Sequence, residues 1–350
     1  VERMPPPPAF PDVLARGRRS IALNLKHKAG VDTLLHLVED ADALIEGFRP
    51  GVAERLGFGP EPCLERNPRL VYGRMTGWGQ EGPLAPRAGH DLNYIGLSGA
   101  LMAIGPAGGK PVPPLNLIGD FGGGLLLCFG LVSALLERAR SGRGQVVDAA
   151  MLDAASSFMG MFFGFRAMGM FEDAPGRSML GGAAHFYDTY ETSDGGFLAV
   201  AAIEPEFYSR LIELLGLDPE EFLPHGFRGL GGGTDPSAWP ILKERLAGVF
   251  RGRTRDEWVK IFEGSDACVS PVLGLSEAAE HPHNKARGTF AEVDGIVQNA
   301  PAPRFSRSRP DLPRPATRPG SDTRKVLKEV GIDGDRIQAL ADGGVIPSET

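Results

Sequence analysis

The sequence is poor in cysteine: its 350 residues include only Cys63, Cys128 and Cys268, with no CxxC pair. These isolated cysteines exclude a disulfide framework and a zinc site of paired cysteines, and they are typical of reduced thiols in the cytosol. The sequence also lacks an excess of positive charge, because 44 Asp and Glu residues outnumber 37 Lys and Arg residues and the net charge is −7. A general nucleic-acid partner is therefore not expected.

Membrane and targeting signals are scarce as well. No apolar run is expected to reach the length of a membrane span, no secretory signal peptide is visible, and the C-terminal PSET differs from the peroxisomal signal SKL. We therefore expect a cytoplasmic protein with no membrane partner. The phosphate-binding patterns GxxxxGKS/T and GxGxxG after a strand are absent too, and the letters DFG at Asp120 lack the HRD loop that accompanies them in protein kinases.

What the sequence does contain is an alternation of strand and helix patterns over its first 150 residues. Ile21 to Leu25 alternates like a strand, Gly30 to Glu39 has helical spacing, and the apolar residues after Gly124 predict a long helix that ends at a Ser-Gly pair. Further strands are predicted at residues 43–46, 70–75 and 145–150. This order predicts an α/β fold with a parallel sheet, in a chain long enough for a second, smaller domain.

The composition changes after residue 150. Residues 151–170 are rich in Met and Phe and predict one helix, and the alternating segments 186–190 and 197–201 predict a hairpin around Ser193 to Gly196. Further helices are predicted around 205–216, 238–251, 254–263, 321–331 and 333–342. The predicted domains are a large domain (1–150), a linker helix (151–186), a small α+β domain (187–265), a return linker (266–300) and a C-terminal segment that packs back on the large domain (301–350).

Two proton-transfer groups stand beside glycines in the stretch from Gly89 to Gly124. His90 follows one glycine, Asp120 comes shortly before three, and a strand-like run between them is expected to place both at strand ends, where α/β folds gather their sites. Histidine titrates near neutral pH, and a carboxylate at a helix N-terminus suits a base or a nucleophile. The alternatives are a structural histidine and an Asp120 that only caps the following helix.

Three other features are candidates for a binding site. Basic residues recur in the first 55 positions, and Arg49, directly after a predicted strand, is the best placed of them to bind phosphate; solvated surface is the alternative for each. The Met- and Phe-rich helix is either core or a flexible apolar surface for acyl chains. Glu204 follows a predicted strand and is either an exposed loop acid or a site residue.

Several long and uncommon segments carry a family resemblance over nearly the whole chain. They are LNLK (23–26), EGFRPGVAERLGFGP (46–60), RMTGWGQEGP (74–83), GHDLNY (89–94), PPLNLIGDFGGG (113–124), GQVVDAAMLD (144–153), YDTYET (187–192), IEPEF (203–207) and APRFSR (302–307). Together they resemble the family III coenzyme A transferase superfamily, and within it the α-methylacyl-CoA racemases.

The resemblance implies an enzyme that inverts the 2-carbon of 2-methylacyl-CoA thioesters by removing and returning a proton. It implies no metal, flavin or pyridoxal, with CoA only as part of the substrate. His90 and Asp120 would be the two acid/base groups, and Glu204 would pair with the histidine from the small domain of a partner subunit. The implied CoA contacts are Arg3, Leu23, Asn24, Leu25, Lys26, Arg49, Arg55, Gly89, Asp91, Asn93 and Tyr94.

The resemblance also implies the architecture: a Rossmann-like large domain, a small α+β domain and an interlocked homodimer. Members of the family have a further strand and helix before the segment that matches Val1, so we interpret the sequence as truncated at its N-terminus. Removal of the α-proton gives an enolate, whose oxygen needs hydrogen-bond donors, and the expected source is the helix that begins at Gly122 to Gly124.

Two other functions stay open at this point. One is a class III CoA transferase, in which Asp120 is the nucleophile and carries the acyl group as a mixed anhydride. The histidine of GHD favours the racemase, because the transferase branch generally has another residue there. The other is a protein that binds CoA thioesters without catalysis.

Overall fold

The computed structural model describes Glu2, residues 12–229 and residues 235–348, so Arg3 lies outside the described residues. The chain divides into two compact units. Unit 1 comprises Val1–Arg87, Leu125–Ala150 and Gly274–Thr350, and unit 2 comprises Ala88–Gly124 and Met151–Leu273. The segment 88–124, which the sequence places in the large domain, thus groups with the residues that follow 150.

The regular elements follow in chain order. The strands are β1 (Ala43–Glu46), β2 (Val71–Thr76), β3 (Gln145–Ala150), β4 (Tyr187–Glu191), β5 (Phe197–Ala201), β6 (Val269–Pro271), β7 (Phe290–Val293) and β8 (Ile296–Asn299). The helices are α1 (Lys28–Val38), α2 (Val52–Leu56), α3 (Pro60–Arg66), α4 (Asp91–Leu97), α5 (Gly122–Ser141), α6 (Met151–Phe158), α7 (Gly160–Ala167), α8 (Pro205–Leu215), α9 (Pro219–Phe222), α10 (Trp239–Phe250), α11 (Arg255–Phe262), α12 (Leu275–Glu280), α13 (Pro282–Arg287), α14 (Thr323–Glu329) and α15 (Gly334–Asp342).

Unit 1 is built on a parallel sheet of three strands in the order β1-β2-β3, with Ala43 beside Val71 and Val71 beside Gln145. This confirms the predicted α/β class and the strands at 43–46 and 145–150. The strand predicted at 21–25 is wrong: among the residues that the structure describes, this segment forms only an isolated parallel bridge between Ala22 and Glu2. A strand pattern in the sequence requires a neighbouring strand to become one, and in the described part of the chain a single residue pair is formed.

The two faces of this sheet are covered by different helices. One face packs against α1, α14 and α15, so the C-terminal segment joins the core of unit 1 around Tyr72. The other face packs against α5 through Leu127 and Leu131. Close approach of helix and sheet depends on Gly73, because a Cβ there would lie 3.0 Å from a methyl group of Leu131.

The opposite side of α5 carries an apolar stripe of four exposed side chains, Leu125, Phe129, Val132 and Leu136, which are 62–71% exposed. The run Leu117–Ser141 is one continuous helix of 25 residues that is long and apolar enough to cross a membrane. The expectation that no apolar run reaches this length was therefore wrong. Length and composition are weak evidence for a membrane span, since core helices of water-soluble proteins satisfy the same criteria.

A buried ion pair joins β1 to β2 in unit 1. Arg74 Nε donates to Glu46 Oε1 at 2.8 Å, and both side chains are almost fully buried. Arg74 Nη1 also donates to Glu54 Oε1 at 2.7 Å, a hydrogen bond that holds the pKa of Glu54 below its ordinary value. The second oxygen of Glu46 accepts the backbone N–H of Phe48 at 2.7 Å. This network fixes the start of the loop that carries Arg49.

Unit 2 contains an antiparallel sheet in the order β4-β5-β6, with Tyr187 beside Ala201 and Glu191 beside Phe197. The predicted hairpin is thereby confirmed. Helices α8, α10 and α11 pack on this sheet around an aromatic core that includes Phe186 and Phe250. The single helix predicted over 151–170 is instead two shorter helices, α6 and α7, because the chain turns at Met159.

His185 lies fully buried in the core of unit 2. Its Nε2 is 2.6 Å from the hydroxyl of Tyr208, which donates its own proton to the carbonyl of Phe222 at 3.0 Å. The ring therefore donates from Nε2. Burial, with the nearby charges of His225 and Lys243, lowers the pKa of His185 to about 3.

We expect this histidine to destabilise the protein in acid. His185 takes up a proton near pH 6.5 in the unfolded chain and only near pH 3 in the folded chain, so the unfolded state binds more protons between these values. As the pH decreases through this range, the free energy of unfolding therefore falls by up to about 1.4 kcal/mol per pH unit. Urea unfolding at pH 7 and pH 5 measures this change in the free energy of unfolding. The variant His185→Gln should lose this pH dependence, and His283→Gln, at an exposed histidine, should keep it. Equal pH dependence in both variants would contradict the expectation.

Candidate functional site

The site forms where two short elements of unit 2 meet. His90 is the exposed N-cap residue of α4, with an extended backbone, and its N–H donates to the side-chain oxygen of Asn93 at 3.0 Å. Asp120 lies in a π-helical turn, Leu117–Phe121, in which the N–H of Phe121 donates to the carbonyl of Asn116. Such turns recur at functional sites because they displace side chains from the ordinary helical positions.

The surroundings of both residues differ from the prediction. Neither His90 nor Asp120 adjoins a strand, and the strand-like run before Asp120 forms no strand. Asp120 is also no N-cap, because the helix is continuous from Leu117 to Ser141. The helix α5 begins at Gly122 as expected, but the π-helical turn precedes it without a break. The N–H of Gly122 donates to the carbonyls of Leu117 and Gly119, so this amide is not free to face an enolate oxygen.

Asp91 holds the two elements together. Its side chain is only 5% exposed, and its Oδ2 accepts the N–H of Gly119 at 2.7 Å and the N–H of Asp120 at 2.9 Å. Since Asp91 directly follows His90, these bonds bring the backbones of both predicted proton-transfer residues into one site. One oxygen of the Asp91 carboxylate is thus bonded to these two amides, and the CoA contact of Asp91 stays a prediction.

Asn116 is a site residue that the sequence analysis missed. Its Nδ2 donates to Asp120 Oδ2 at 3.0 Å and so orients the carboxylate. The residue before it, Leu115, has φ of +60°, a left-handed conformation that is unfavourable for a branched side chain. A polar residue four positions before an acid in a predicted helix would have indicated this pairing, but the segment was interpreted as a strand.

A cavity of about 570 Å³ opens beside this turn within unit 2. Its walls are mainly apolar, and Ile118, two residues before Asp120, forms part of them. Phe158 and Met159 at the end of α6 and Phe162 on α7 form another wall. The Met- and Phe-rich segment therefore serves both as core and as lining, since Met159 also packs against the buried cluster of Ile95, Ala100 and Ala155.

Glu204 lies elsewhere on unit 2. It is the exposed N-cap residue of α8. Burial, and after it the charge of Glu204, raises the pKa of the Cys268 thiol beside β6. In the described part of the chain, no hydrogen bond or ion pair joins Glu204 to His90. The predicted pairing of these two residues is therefore not made within one chain.

The other predicted CoA contacts fall into two classes. The side chains of Lys26, Arg49 and Arg55 are exposed on unit 1, and a Cβ on Gly51, where φ is +78°, would lie 3.2 Å from the Arg55 guanidinium. Arg55 thus covers the loop that carries Arg49.

The remaining residues of this set are less accessible. Leu23 and Tyr94 are buried, Asn24, Leu25 and Gly89 are partly buried, and the Asn93 side chain is bonded to His90. Leu23 also donates its N–H to the carbonyl of Glu2, so neither its side chain nor its amide is available to CoA. No group of three His, Cys, Asp or Glu side chains that could hold a metal ion occurs among residues 12–229 and 235–348.

The model of the CoA-transferase family III matches residues 4–323. The chain belongs to the CoA-transferase family III. It is 44% identical over 340 residues to the α-methylacyl-CoA racemase of Mus musculus, covering 96% of this chain and 87% of that protein.

Further relatives support the same family. The human α-methylacyl-CoA racemase is 42% identical over 339 residues, covering 96% of this chain and 86% of the relative. The crystal structure of a CaiB/BaiF family protein from Brucella suis superposes with a TM-score of 0.74 and 25% identity, covering 90% of this chain and 82% of that one. The family III fold therefore extends over both units.

Proposed function

We propose that this protein is an α-methylacyl-CoA racemase, an isomerase that inverts the 2-carbon of 2-methylacyl-CoA thioesters. The observation that carries the proposal is the pair of hydrogen bonds that the Asp91 carboxylate accepts from the turn of Asp120, which joins the segment GHD to the segment GDFGGG in one site. The similarity to two racemases over 96% of the chain supports the same reaction.

The chemistry needs two groups that exchange a proton with the same carbon. The thioester acidifies the α-proton, and an enolate forms when a base removes it. His90 takes the proton on one face and Asp120 returns one on the other, and the reverse reaction exchanges these roles. Asn116 keeps the Asp120 carboxylate oriented through its amide. No cofactor enters this mechanism, because one side chain accepts the α-proton of the substrate and another side chain donates the proton that replaces it.

The proposal also includes the residues that bind CoA and the pairing of two subunits. Lys26, Arg49 and Arg55 of unit 1 bind phosphate groups of CoA, and unit 1 is Rossmann-like. The protein is an interlocked homodimer in which Glu204 of the partner subunit pairs with His90. The exposed position of Glu204 at the start of α8 supports this pairing, since its carboxylate is accessible to a second chain.

The test is deuterium wash-in with the wild-type protein. A (2R)-2-methylacyl-CoA is incubated in D2O, and deuteration and chirality at the 2-carbon are followed by NMR and chiral chromatography. Incorporation of deuterium together with loss of chirality is the expected result. Transfer of CoA to an added free acid without such exchange would instead identify a CoA transferase, and acyl-CoA binding without either reaction would identify a binding protein.

We expect the cavity beside Ile118 to hold the acyl chain. Ala103→Phe would fill part of it, so the variant should lose at least about tenfold in kcat/KM for a long-chain substrate and little for 2-methylbutanoyl-CoA. The exposed Ala139→Phe on α5 is the matched control. An equal loss for short and long acyl chains in Ala103→Phe would place the acyl chain elsewhere.

A further inference from the structure

We propose that Asp91 is a positioning residue for catalysis: its buried carboxylate fixes the π-helical turn of Asp120 to the first turn of α4, and so sets Asp120 with respect to His90. This inference rests on the proposed racemase function, in which the two residues must act on one carbon. Asp91 itself exchanges no proton with the substrate in this proposal.

The hydrogen bonds of Asp91 support this role. One oxygen, Oδ2, accepts both backbone N–H groups of Gly119 and Asp120, at 2.7 and 2.9 Å. The other oxygen, Oδ1, is buried and accepts no hydrogen bond from the residues that the structure describes. A buried carboxylate with one unpaired oxygen lowers stability. Residues that lower stability in this way are expected at functional sites, where geometry matters more than stability.

The backbone that Asp91 holds is an uncommon one. A π-helical turn and the positive φ of Leu115 occur within seven residues, and such conformations persist only where the surroundings fix them. Ile118 fixes the apolar side of the turn by packing against the cluster that contains Ile95. Asp91 fixes its polar side. Without the carboxylate, two amides next to the reacting group would lose their acceptor.

Gly119 offers an independent way to disturb the same contact. A Cβ added to this residue would lie 2.7 Å from Asp91 Oδ2, a distance that real Cβ atoms do not show. Gly119→Ala should therefore displace the carboxylate from the turn without changing its charge. We expect the same kinetic result from Gly119→Ala as from Asp91→Ala.

The experiment separates inversion from exchange. Each enantiomer of a 2-methylacyl-CoA is incubated in D2O with wild type, Asp91→Ala, Asp91→Asn and Gly119→Ala. Misplacement by about 1 Å costs about 100-fold in rate, so inversion should fall by this factor in Asp91→Ala and Gly119→Ala, with KM little changed. Exchange of the α-proton for deuterium, with retention of configuration at the 2-carbon, should persist for the enantiomer that His90 deprotonates. Asp91→Asn should restore most of the inversion, because an amide oxygen accepts the same two bonds.

Asn67→Ala is the matched control in unit 1, since it removes three side-chain hydrogen bonds: Asn67 donates to the carbonyls of Val38 and Ala41 and accepts the N–H of Arg69. It should leave the ratio of exchange to inversion unchanged. A proportional loss of exchange for both enantiomers in Asp91→Ala, or no recovery in Asp91→Asn, would overturn the positioning role. If Asp91→Ala fails to fold, the rates of inversion and exchange in Gly119→Ala and Asp91→Asn still test the positioning role. Wild type without inversion would overturn the racemase function itself.

Discussion

Replacement of Asp120 by asparagine is expected to lower the rate of inversion of a 2-methylacyl-CoA by about 10²- to 10⁴-fold, the usual contribution of a general acid or base. The substitution is isosteric and keeps an oxygen that can accept the hydrogen bond from Asn116, so the loss follows from the missing carboxyl proton. The enantiomer deprotonated by His90 should still exchange its α-proton with solvent. His90→Gln should show the mirror-image pattern, with exchange retained for the other enantiomer.

Deuterium wash-in on both enantiomers measures this prediction, with Asp153→Asn as the control for loss of an exposed carboxylate on unit 2. Equal loss of exchange for both enantiomers in Asp120→Asn would contradict two separate bases. A wild-type protein that transfers CoA to a free acid, and loses that transfer in Asp120→Asn, would assign Asp120 as a nucleophile instead.

The largest expected effect on stability comes from Arg74→Leu. The substitution leaves Glu46 buried at the end of β1 with its charge unpaired, and the loss of one partner of a buried ion pair costs about 3–5 kcal/mol of the free energy of unfolding. Urea unfolding at pH 7 measures this loss. The midpoint urea concentration should fall, with little change in the dependence of the free energy of unfolding on urea concentration.

Lys28→Ala is the comparison for this prediction, because it breaks an exposed ion pair with Asp32 of the following helical turn. Exposed pairs contribute at most about 1 kcal/mol, so the two variants should differ by several-fold in their effect. If Arg74→Leu and Glu46→Leu together recover most of the stability, the cost lies in the unpaired charge. A small effect of Arg74→Leu alone would mean that Glu46 reaches water or takes up a proton.

Much of the fold follows from patterns that act locally. The strands at 43–46 and 145–150 combine apolar β-branched residues with flanking turn residues, and the hairpin of β4 and β5 has its glycine pair where a tight turn needs it. The helices at 205–216, 238–251 and 254–263 begin and end within a few residues of their predicted limits. In each case the signal and the structure it produces lie within the same dozen residues.

The candidate site could be predicted from the sequence less completely than the fold, because its geometry depends on contacts between distant segments. His90 and Asp120 were chosen as the reacting pair from residue chemistry and from a family resemblance, and the structure brings their backbones together. The π-helical turn could not be predicted, since it depends on the carboxylate of Asp91 and the packing of Ile118. The segment 21–25 shows the same limit, because among the described residues only Ala22 of this strand pattern has a pairing partner.

The π-helical turn at Leu117–Phe121 also has a consequence for how the gene can change. A π turn spans the distance of an α turn with one residue in excess. Deletion of a single codon within it would restore an ordinary helix, and each residue of such a helix accounts for about 100° of rotation. Asp120 would then point away from its present direction while the rest of α5 kept its register. Insertions and deletions here are therefore expected to change the reaction before they change the fold.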